Sequence, residues 1–185
     1  MYEVEVKAHV INPSSVSEYL KQRGFTERKF EVKDYYFNHP CRDFAKSDEE
    51  LRLRIEKDGS HTRILLTYKG PSLRGDRSIR EEIEIPINSM DLVKILKKLG
   101  FLVDLVKEKR GIVFQKGKLK VYLCRVSGFY RGKHIDLGYF VEVEVLAKKN
   151  SELKEARKEV INFLANLPGI GNIEQRYYTE MIKEI

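Results

Sequence analysis

The stretch Tyr2-Glu3-Val4-Glu5-Val6-Lys7-Ala8-His9-Val10 alternates strictly between charged or polar residues and apolar residues. Alternation with a period of two over nine residues predicts a β-strand with one polar and one apolar face. Two further Glu-x-Glu pairs occur later, Glu82/Glu84 and Glu142/Glu144, and several other predicted strands carry Arg or Lys at alternating positions. If these faces meet, the chain has a site for a metal ion and a polyanion.

Composition predicts one globular domain spanning residues 1–185, because 42% of the residues are hydrophobic and 34% are charged. The net charge of +7 accommodates an anionic ligand, but without a basic helix or an aromatic platform nucleic acid is not an expected partner. Cys41 and Cys124 fit no disulfide or metal-binding pattern. No signal peptide or long apolar run is evident, so we expect a cytoplasmic protein without a membrane partner. A second copy of the chain, in a homodimer, is a further candidate partner.

Periodicity and turn residues predict the remaining elements in order. The other predicted strands are Phe30–Phe37, Leu51–Ile55, His61–Lys69, Ser78–Ile87, Leu102–Phe114, Leu119–Val126 and Ile135–Leu146. The predicted helices are Asn12–Arg23, Asn88–Leu99, Ser151–Leu167 and Ile173–Ile185. Asp58-Gly59 predicts a hairpin turn, and Ser127–Lys133 predicts an irregular insert.

The pattern favours an α+β fold whose charged strand faces point inward. Four amphipathic helices need an apolar sheet face to pack against, and only an outward apolar face provides it. We therefore expect an eight-stranded antiparallel closed β-barrel, a tunnel with a charged interior and helices on the outside. Buried charges must pair, hydrate or bind ions. Mutual ion pairs account for the charge balance, but paired glutamates on one strand face repel each other, and a divalent cation removes that repulsion.

An ordered set of motifs runs along the chain. The motifs are Glu3-x-Glu5-x-Lys7, Asp34-Tyr35-Tyr36-Phe37, Leu51-Arg52-Leu53-Arg54, Thr67-Tyr68-Lys69-Gly70, Arg80-x-Glu82-x-Glu84, Arg110, the run from Leu137 to Glu144, and Arg176-Tyr177-Tyr178-Thr179-Glu180. Together they resemble the CYTH superfamily, the triphosphate tunnel metalloenzymes, over essentially the whole chain. The last motif resembles the ending of the class IV adenylyl cyclase (CyaB-like) branch.

This resemblance implies a tunnel that binds a nucleoside triphosphate or another triphosphate with Mg²⁺ or Mn²⁺. The implied metal ligands are Glu3, Glu5, Glu82, Glu84, Glu142 and Glu144, since hard cations prefer carboxylate oxygens. The implied triphosphate-binding residues are Lys7, Arg52, Arg54, Lys69, Arg80 and Arg110, which provide cationic donors for phosphate oxygens. The implied catalytic residues are Glu5, Lys7, Arg54 and Lys69.

Three departures from the family pattern stand out. Cys124 occupies a step where the family often has an aspartate, and a thiol does not replace a carboxylate as a hard-metal ligand. The insert from Ser127 to Asp136 lengthens the connection to the last strand, and Asp136 is a candidate to replace that acid. Glu108 precedes Arg110 by two positions where the family often has a lysine; Lys107 and Lys109 have the opposite parity, so only a register shift or bulge would turn either of them inward.

Three functions follow as alternatives. The first is a class IV adenylyl cyclase that converts ATP to cyclic AMP and pyrophosphate. The second is a triphosphate hydrolase acting on inorganic tripolyphosphate or thiamine triphosphate in the same lumen. The third is a non-catalytic module that binds polyphosphate or RNA, in which the Glu-x-Glu pairs would be neutralised by arginines alone.

Overall fold

The structure is a computed structural model that describes residues 2–58, 61–73 and 75–185. The strands among these residues are β1 (Tyr2–Val10), β2 (Thr26–Asn38), β3 (Glu50–Asp58), β4 (His61–Leu73), β5 (Asp76–Ile87), β6 (Leu102–Lys116), β7 (Leu119–Tyr130), β8 (Lys133–Ala147) and β9 (Ile170–Glu174). The helices are α1 (Pro13–Gln22), α2 (Asp91–Lys98), α3 (Leu153–Ala165) and α4 (Tyr178–Lys183). Gly59, in the predicted hairpin turn, lies outside the described residues.

The strands form an antiparallel sheet in the order β5-β4-β3-β2-β6-β7-β8-β1-β9, and a further pairing of β5 with β1 closes it. Strands β1 to β8 therefore make the predicted closed eight-stranded barrel, which the structure confirms. Closure is short, because β5 pairs only with the beginning of β1, from Tyr2 to Val4. From Lys7 onward the same edge of β1 pairs with β9 instead, a ninth strand that the sequence did not predict.

The apolar faces of the strands point outward under helices, as expected. Val4 and Ala8 of β1 are fully buried in one cluster with Leu20 of α1 and Val160 of α3. Leu53 of β3 is buried in a second cluster with residues of α2. Burying one such aliphatic side chain contributes about 1.5–3 kcal/mol, so the helices fix which face of each strand turns away from the lumen.

Helix α4 corrects the expectation that all helices pack outside. The segment predicted as one helix from Ile173 to Ile185 begins in β9, and α4 packs against inward-facing side chains of the barrel. Tyr178 and Met181 share a cluster with Phe140, and the ring centroids of Tyr178 and Phe140 are 5.0 Å apart. A Cβ atom on Gly128 would lie 2.5 Å from Ile182 Cδ1, so glycine at this position leaves room for α4.

The structure also corrects the predictions for two further segments. The segment Ser127–Lys133 is not an irregular insert, because β7 and β8 continue through it to a tight turn at Arg131 and Gly132, both with positive φ. A register shift between Val126 and Ser127 interrupts the alternation of inward and outward residues, so the sequence pattern did not predict that the strand continues. Helix α2 begins at Asp91, whose backbone N–H donates to Ser89 Oγ, rather than after a cap at Asn88.

Candidate active site

The barrel encloses a cavity of about 560 Å³, within the usual range for small-molecule sites. Most of the side chains on its inner walls are charged, because the polar faces of the strands converge on the barrel axis. They include Glu3, Glu5, Lys7, Glu50, Arg52, Lys69, Arg80, Lys107 and Lys109, together with the aromatic residues Tyr36, Tyr177 and Tyr178.

Three carboxylates form a tight cluster on one wall of the barrel. Oxygen atoms of Glu3, Glu5 and Glu144 lie within 4.8 Å of one another, and Glu5 is directly opposite Glu144 in the pairing of β1 with β8. Burial, together with the neighbouring Glu142 and Glu3, raises the pKa of Glu5 to about 8. Burial and Glu3 also raise the pKa of Glu144. The cluster is therefore electrostatically strained as it stands.

Only part of this strain is relieved by protein cations. Lys69 contacts Glu3 and, although burial opposes it, holds the pKa of that carboxyl well below its usual range. Glu144 has Lys120 Nζ at 3.5 Å. Among the described residues, Glu5 has neither an ion-pair partner nor a hydrogen-bond donor. Clustered carboxylate oxygens are the ligands that Mg²⁺ and Mn²⁺ prefer, so this donor set fits a divalent cation.

The other glutamates predicted as metal ligands lie outside this cluster. Glu82 is 3.4 Å from Lys69 and 3.7 Å from Arg52, and burial with the nearby Glu3 raises its pKa to about 8. Lys109 donates to both carboxylate oxygens of Glu142 at 2.6 Å and, against the effect of burial, lowers its pKa. Glu84 is exposed and accepts a hydrogen bond from Thr67 Oγ1 at 2.9 Å.

Two of the predicted cations lack a full set of partners. Lys7 is buried and makes no ion pair with any described residue; its Nζ lies 5.2 Å from the ring centroid of Tyr178, and burial lowers its pKa. Arg52 is only 5% exposed, and its Nε has no hydrogen-bond acceptor in the described part of the chain. Its nearest acids, Asp34 and Glu82, are 3.8 and 3.7 Å away.

Two other predicted arginines are already engaged within the protein. Arg80 lines the cavity, but its Nε donates to the carbonyl of Gly70 at 2.8 Å and its Nη2 to that of Asp48 at 2.7 Å. Arg54 makes a bidentate pair with Asp34, at 2.8 and 2.9 Å, and does not line the cavity. Despite burial, Arg54, with Lys107 and Arg52, keeps the pKa of Asp34 well below its usual range.

Arg110 does not face the lumen, and the expectation of an inward side chain there was wrong. Arg110 is exposed and is paired across the sheet with Arg125 on the outer face. The inward positions of β6 are Lys107 and Lys109, opposite Asp34 and Val32 of β2. Both faces of β6 carry charged residues, so the alternation of residue types alone did not identify which face turns inward.

Sequence reasoning also missed residues that complete the interior. Asp34, fully buried, contacts Arg54 and has Lys107 Nζ at 3.1 Å, and Lys107 donates to Tyr36 Oη at 2.6 Å. Burial lowers the pKa of Lys107 to about 8, partly offset by Asp34. Asp34 and Tyr36 are two positions apart on β2 and therefore share a face of the strand, and this spacing was the sequence signal that could have identified them. Nothing local indicated that Tyr178 would enter the barrel, because α4 reaches it from outside the sheet.

The structure shows the surroundings of Cys124, which stands where the family often has an aspartate, and of Asp136, the candidate replacement for that acid. Cys124 is buried on the inner wall, and burial, together with Glu142, raises the pKa of its thiol, which keeps it protonated. Asp136 does not replace the missing acid inside the barrel. It pairs on the surface with Arg125, whose Nε lies 3.2 Å from Asp136 Oδ1.

The protein is therefore a closed β-barrel with a charged tunnel, lined by an acidic cluster and by lysine and arginine side chains. The chain belongs to the CYTH domain family, which matches residues 1–178, and this confirms the resemblance noted in the sequence. Members of this family generally act on triphosphates and depend on divalent metals.

Individual relatives agree with this assignment. A Methanocaldococcus jannaschii protein named "Putative adenylate cyclase" is 34% identical over 185 residues, covering 98% of each sequence. A solved structure from Pyrococcus horikoshii OT3 gives a TM-score of 0.80 at 34% identity and covers 98% of both chains. A second protein from that organism gives a TM-score of 0.76 at 25% identity, covering 97% of this chain and 99% of the other. Separately, none of the described helices is long and apolar enough to cross a membrane.

Proposed function

We propose that the protein is a divalent-metal-dependent enzyme that acts on a triphosphate inside the tunnel, and that its reaction is the conversion of ATP to cyclic AMP and pyrophosphate. The observation that carries this proposal is the pair Glu5 and Lys7. Both line the cavity, and neither has an ion-pair partner among the described residues. Burial disfavours the charged forms of both side chains, and a bound metal with a polyphosphate would favour the charged form of each.

Binding of the phosphates would rest on the cations that face the cavity. Arg52 offers a buried Nε without an acceptor, and Lys7 offers an ammonium without an anion. Lys107 and Lys109 replace Arg110 in this role, because they line the cavity and Arg110 does not. Lys69 and Arg80 line the same space but are partly engaged by Glu3 and by backbone carbonyls. Charge-assisted bonds to phosphate oxygens are among the strongest hydrogen bonds in proteins.

The divalent ion would be held by Glu3, Glu5 and Glu144, with Glu82, Glu84 and Glu142 in supporting or structural roles. When bound, such an ion neutralises phosphate charge and lowers the pKa of a nearby hydroxyl. Lys69 would keep Glu3 ionised and oriented, since its ammonium is in contact with that carboxylate. Arg54 would act indirectly, because its bidentate pair with Asp34 fixes the acid that also contacts Lys107.

Cyclisation requires the ribose 3′-hydroxyl to lose its proton to solvent and its oxygen to bond to the α-phosphorus, while the bond from that phosphorus to the bridging oxygen breaks and pyrophosphate leaves. The lysines and arginines of the cavity would stabilise the negative charge that develops on the departing pyrophosphate. The name of the 34% identical relative supports this reaction over others on the same fold.

Hydrolysis of a triphosphate is the second candidate, because the same phosphate-binding residues serve an attacking water equally well. A purely non-catalytic polyanion-binding module receives less support. That alternative expected the Glu-x-Glu pairs to be neutralised by arginines alone, whereas Glu5 has no such partner in the described structure.

Product analysis with purified protein tests the proposal. ATP, tripolyphosphate and thiamine triphosphate are each incubated with Mg²⁺ or Mn²⁺, and the products are separated by chromatography. We expect cyclic AMP and pyrophosphate from ATP in equal amounts. Free phosphate without cyclic AMP would contradict the cyclase and support the hydrolase.

A further inference from the structure

The cavity extends out of the barrel through its wall beside β1. On this edge β5 pairs with Tyr2–Val4 and β9 pairs from Lys7 onward, so Glu5 and Val6 lie between the two pairings. Beyond this point the cavity is lined by residues from outside the lumen, on α3, β9 and the beginning of β5. We call this opening the side slot and define it by Val6, Ser78, Ile161, Ile173 and Gln175.

We propose that the side slot binds the nucleobase of a nucleoside triphosphate whose phosphates lie inside the barrel. This inference rests on the proposed function and adds to it the place where the base of the nucleotide binds. Glu5 connects the two regions, because it belongs to the carboxylate cluster and lies at the strand position where the wall opens. A ligand with its phosphates beside this cluster would have its organic group at Val6.

The walls of the side slot suit a flat, largely apolar ring. Ile161 of α3 is half-buried, and Ile173 of β9 is 54% exposed although it lines the cavity. The aromatic alternative, Tyr177, is not free to stack, because the guanidinium carbons of Arg77 and Arg80 lie 4.0 and 4.8 Å from its ring centroid. The base would therefore contact aliphatic side chains, as is typical of apolar ligand pockets.

Polar groups at the rim fit the edge of a base. Gln175 lines the cavity, and its exposed side chain has no hydrogen-bond partner among the described residues. A side-chain amide presents an N–H donor beside a carbonyl acceptor, the arrangement with which glutamine binds adenine through a pair of hydrogen bonds. Gln175 is thus the residue that would recognise the base.

The charges around the side slot favour a neutral ring over a cationic one such as thiazolium. Asp76 is already paired with Arg157 and accepts a hydrogen bond from Ser78 Oγ at 2.6 Å. Glu174 is held by Arg176 at 2.6 Å. Apart from Glu5, which we assign to the divalent ion, no unpaired carboxylate is therefore available among the described residues at this opening to bind a cationic ring.

Binding measurements with two probes test the proposal without depending on turnover. Affinities for α,β-methylene ATP and for inorganic tripolyphosphate are measured by calorimetry with Mg²⁺ for the wild type, Ile173→Ser and Gln175→Ala. The matched controls are Ile95→Ser, whose side chain is 53% exposed on α2, and Gln115→Ala, which is exposed on β6. We expect the slot variants to weaken the ATP analogue about fivefold to tenfold, with tripolyphosphate and both controls unchanged.

The outcomes separate the side slot from the proposed function. Equal losses for both probes, or no loss for either, would overturn the side slot while leaving the phosphate site intact. If thiamine triphosphate, measured as a third ligand by the same calorimetry, bound more tightly than the ATP analogue and lost affinity in the same variants, the nucleobase assignment would be wrong. If neither probe bound the wild type, the proposed function itself would be contradicted.

Discussion

Glu5 and Lys7 occupy successive inward positions of β1, line the same cavity, and are both without an ion-pair partner in the described structure. The neighbouring carboxylates do have ion-pair partners, since Glu3 pairs with Lys69 and Glu142 pairs with Lys109. Among the described residues, the interior is thus an ion-pair network interrupted at one carboxyl group and one amine. Networks that serve only the fold leave few charges unpaired, so this interruption is where we expect ligands to bind.

The interruption predicts unequal effects on the free energy of unfolding for substitutions of two lysines. Lys69→Met should lower the free energy of unfolding by about 3 kcal/mol, because it leaves buried Glu3 without its cation and Glu82 with only Arg52, at 3.7 Å. Lys7→Met should change it by less than about 1 kcal/mol, since burial already disfavours the charged form of Lys7 and no ion pair is lost. Urea unfolding at neutral pH with a chelator present measures both. Equal destabilisation by the two substitutions would show that Lys7 is part of the structural network.

The sequence was sufficient for the barrel because nearly every strand has one plainly apolar face, and amphipathic helices need such faces outside. It was insufficient where both faces are charged. On β6, Lys107 and Lys109 compete with Glu108 and Arg110, and only pairing with β2 determines which set turns inward. The entry of Tyr178 into the lumen also depends on a long-range contact, for which Gly128 leaves the space.

Lys107 predicts a proton-linked step in phosphate binding. Its pKa of about 8 in the free protein should rise when a polyanion binds, because negative charge favours the ammonium form. Affinity for tripolyphosphate should therefore fall as the pH rises through 8. Binding at about pH 8.5, where much of Lys107 is deprotonated in the free protein, should take up protons. Calorimetry in two buffers of different ionisation enthalpy measures this uptake.

The matched variants for this step are Lys107→Met and Lys97→Met, the latter exposed on α2. Proton uptake should be reduced in Lys107→Met and unchanged in Lys97→Met. The same uptake in wild type and Lys107→Met would assign the linkage to another group.

Glu174 predicts an acid-sensitive contribution to stability at the junction of β9 and α4. Arg176 lowers the pKa of this carboxyl to about 2, through its side chain and its backbone N–H. The folded-state pKa is below the unfolded value of about 4.3, so the contribution is present above that pH and is lost as the pH falls towards 2.

Glu174→Gln should therefore cost about 1 kcal/mol at pH 6, a value reduced by the exposure of Arg176 to solvent. The difference from wild type should disappear between about pH 4 and pH 2. Denaturant unfolding across this range is the measurement. A difference that persisted unchanged at pH 2 would mean that the substitution acts through packing and not through the carboxylate charge.

The most direct test of the metal-dependent triphosphate chemistry is the rate of ATP turnover as a function of Mn²⁺ concentration in wild type, Glu5→Gln and Glu18→Gln, the last an exposed glutamate on α1. We expect turnover only with metal, abolition by a chelator, and a loss of at least about 100-fold in Glu5→Gln, with Glu18→Gln equal to wild type and the unfolding midpoints preserved. Turnover that survived chelation, or a folded Glu5→Gln protein with wild-type activity, would contradict the account.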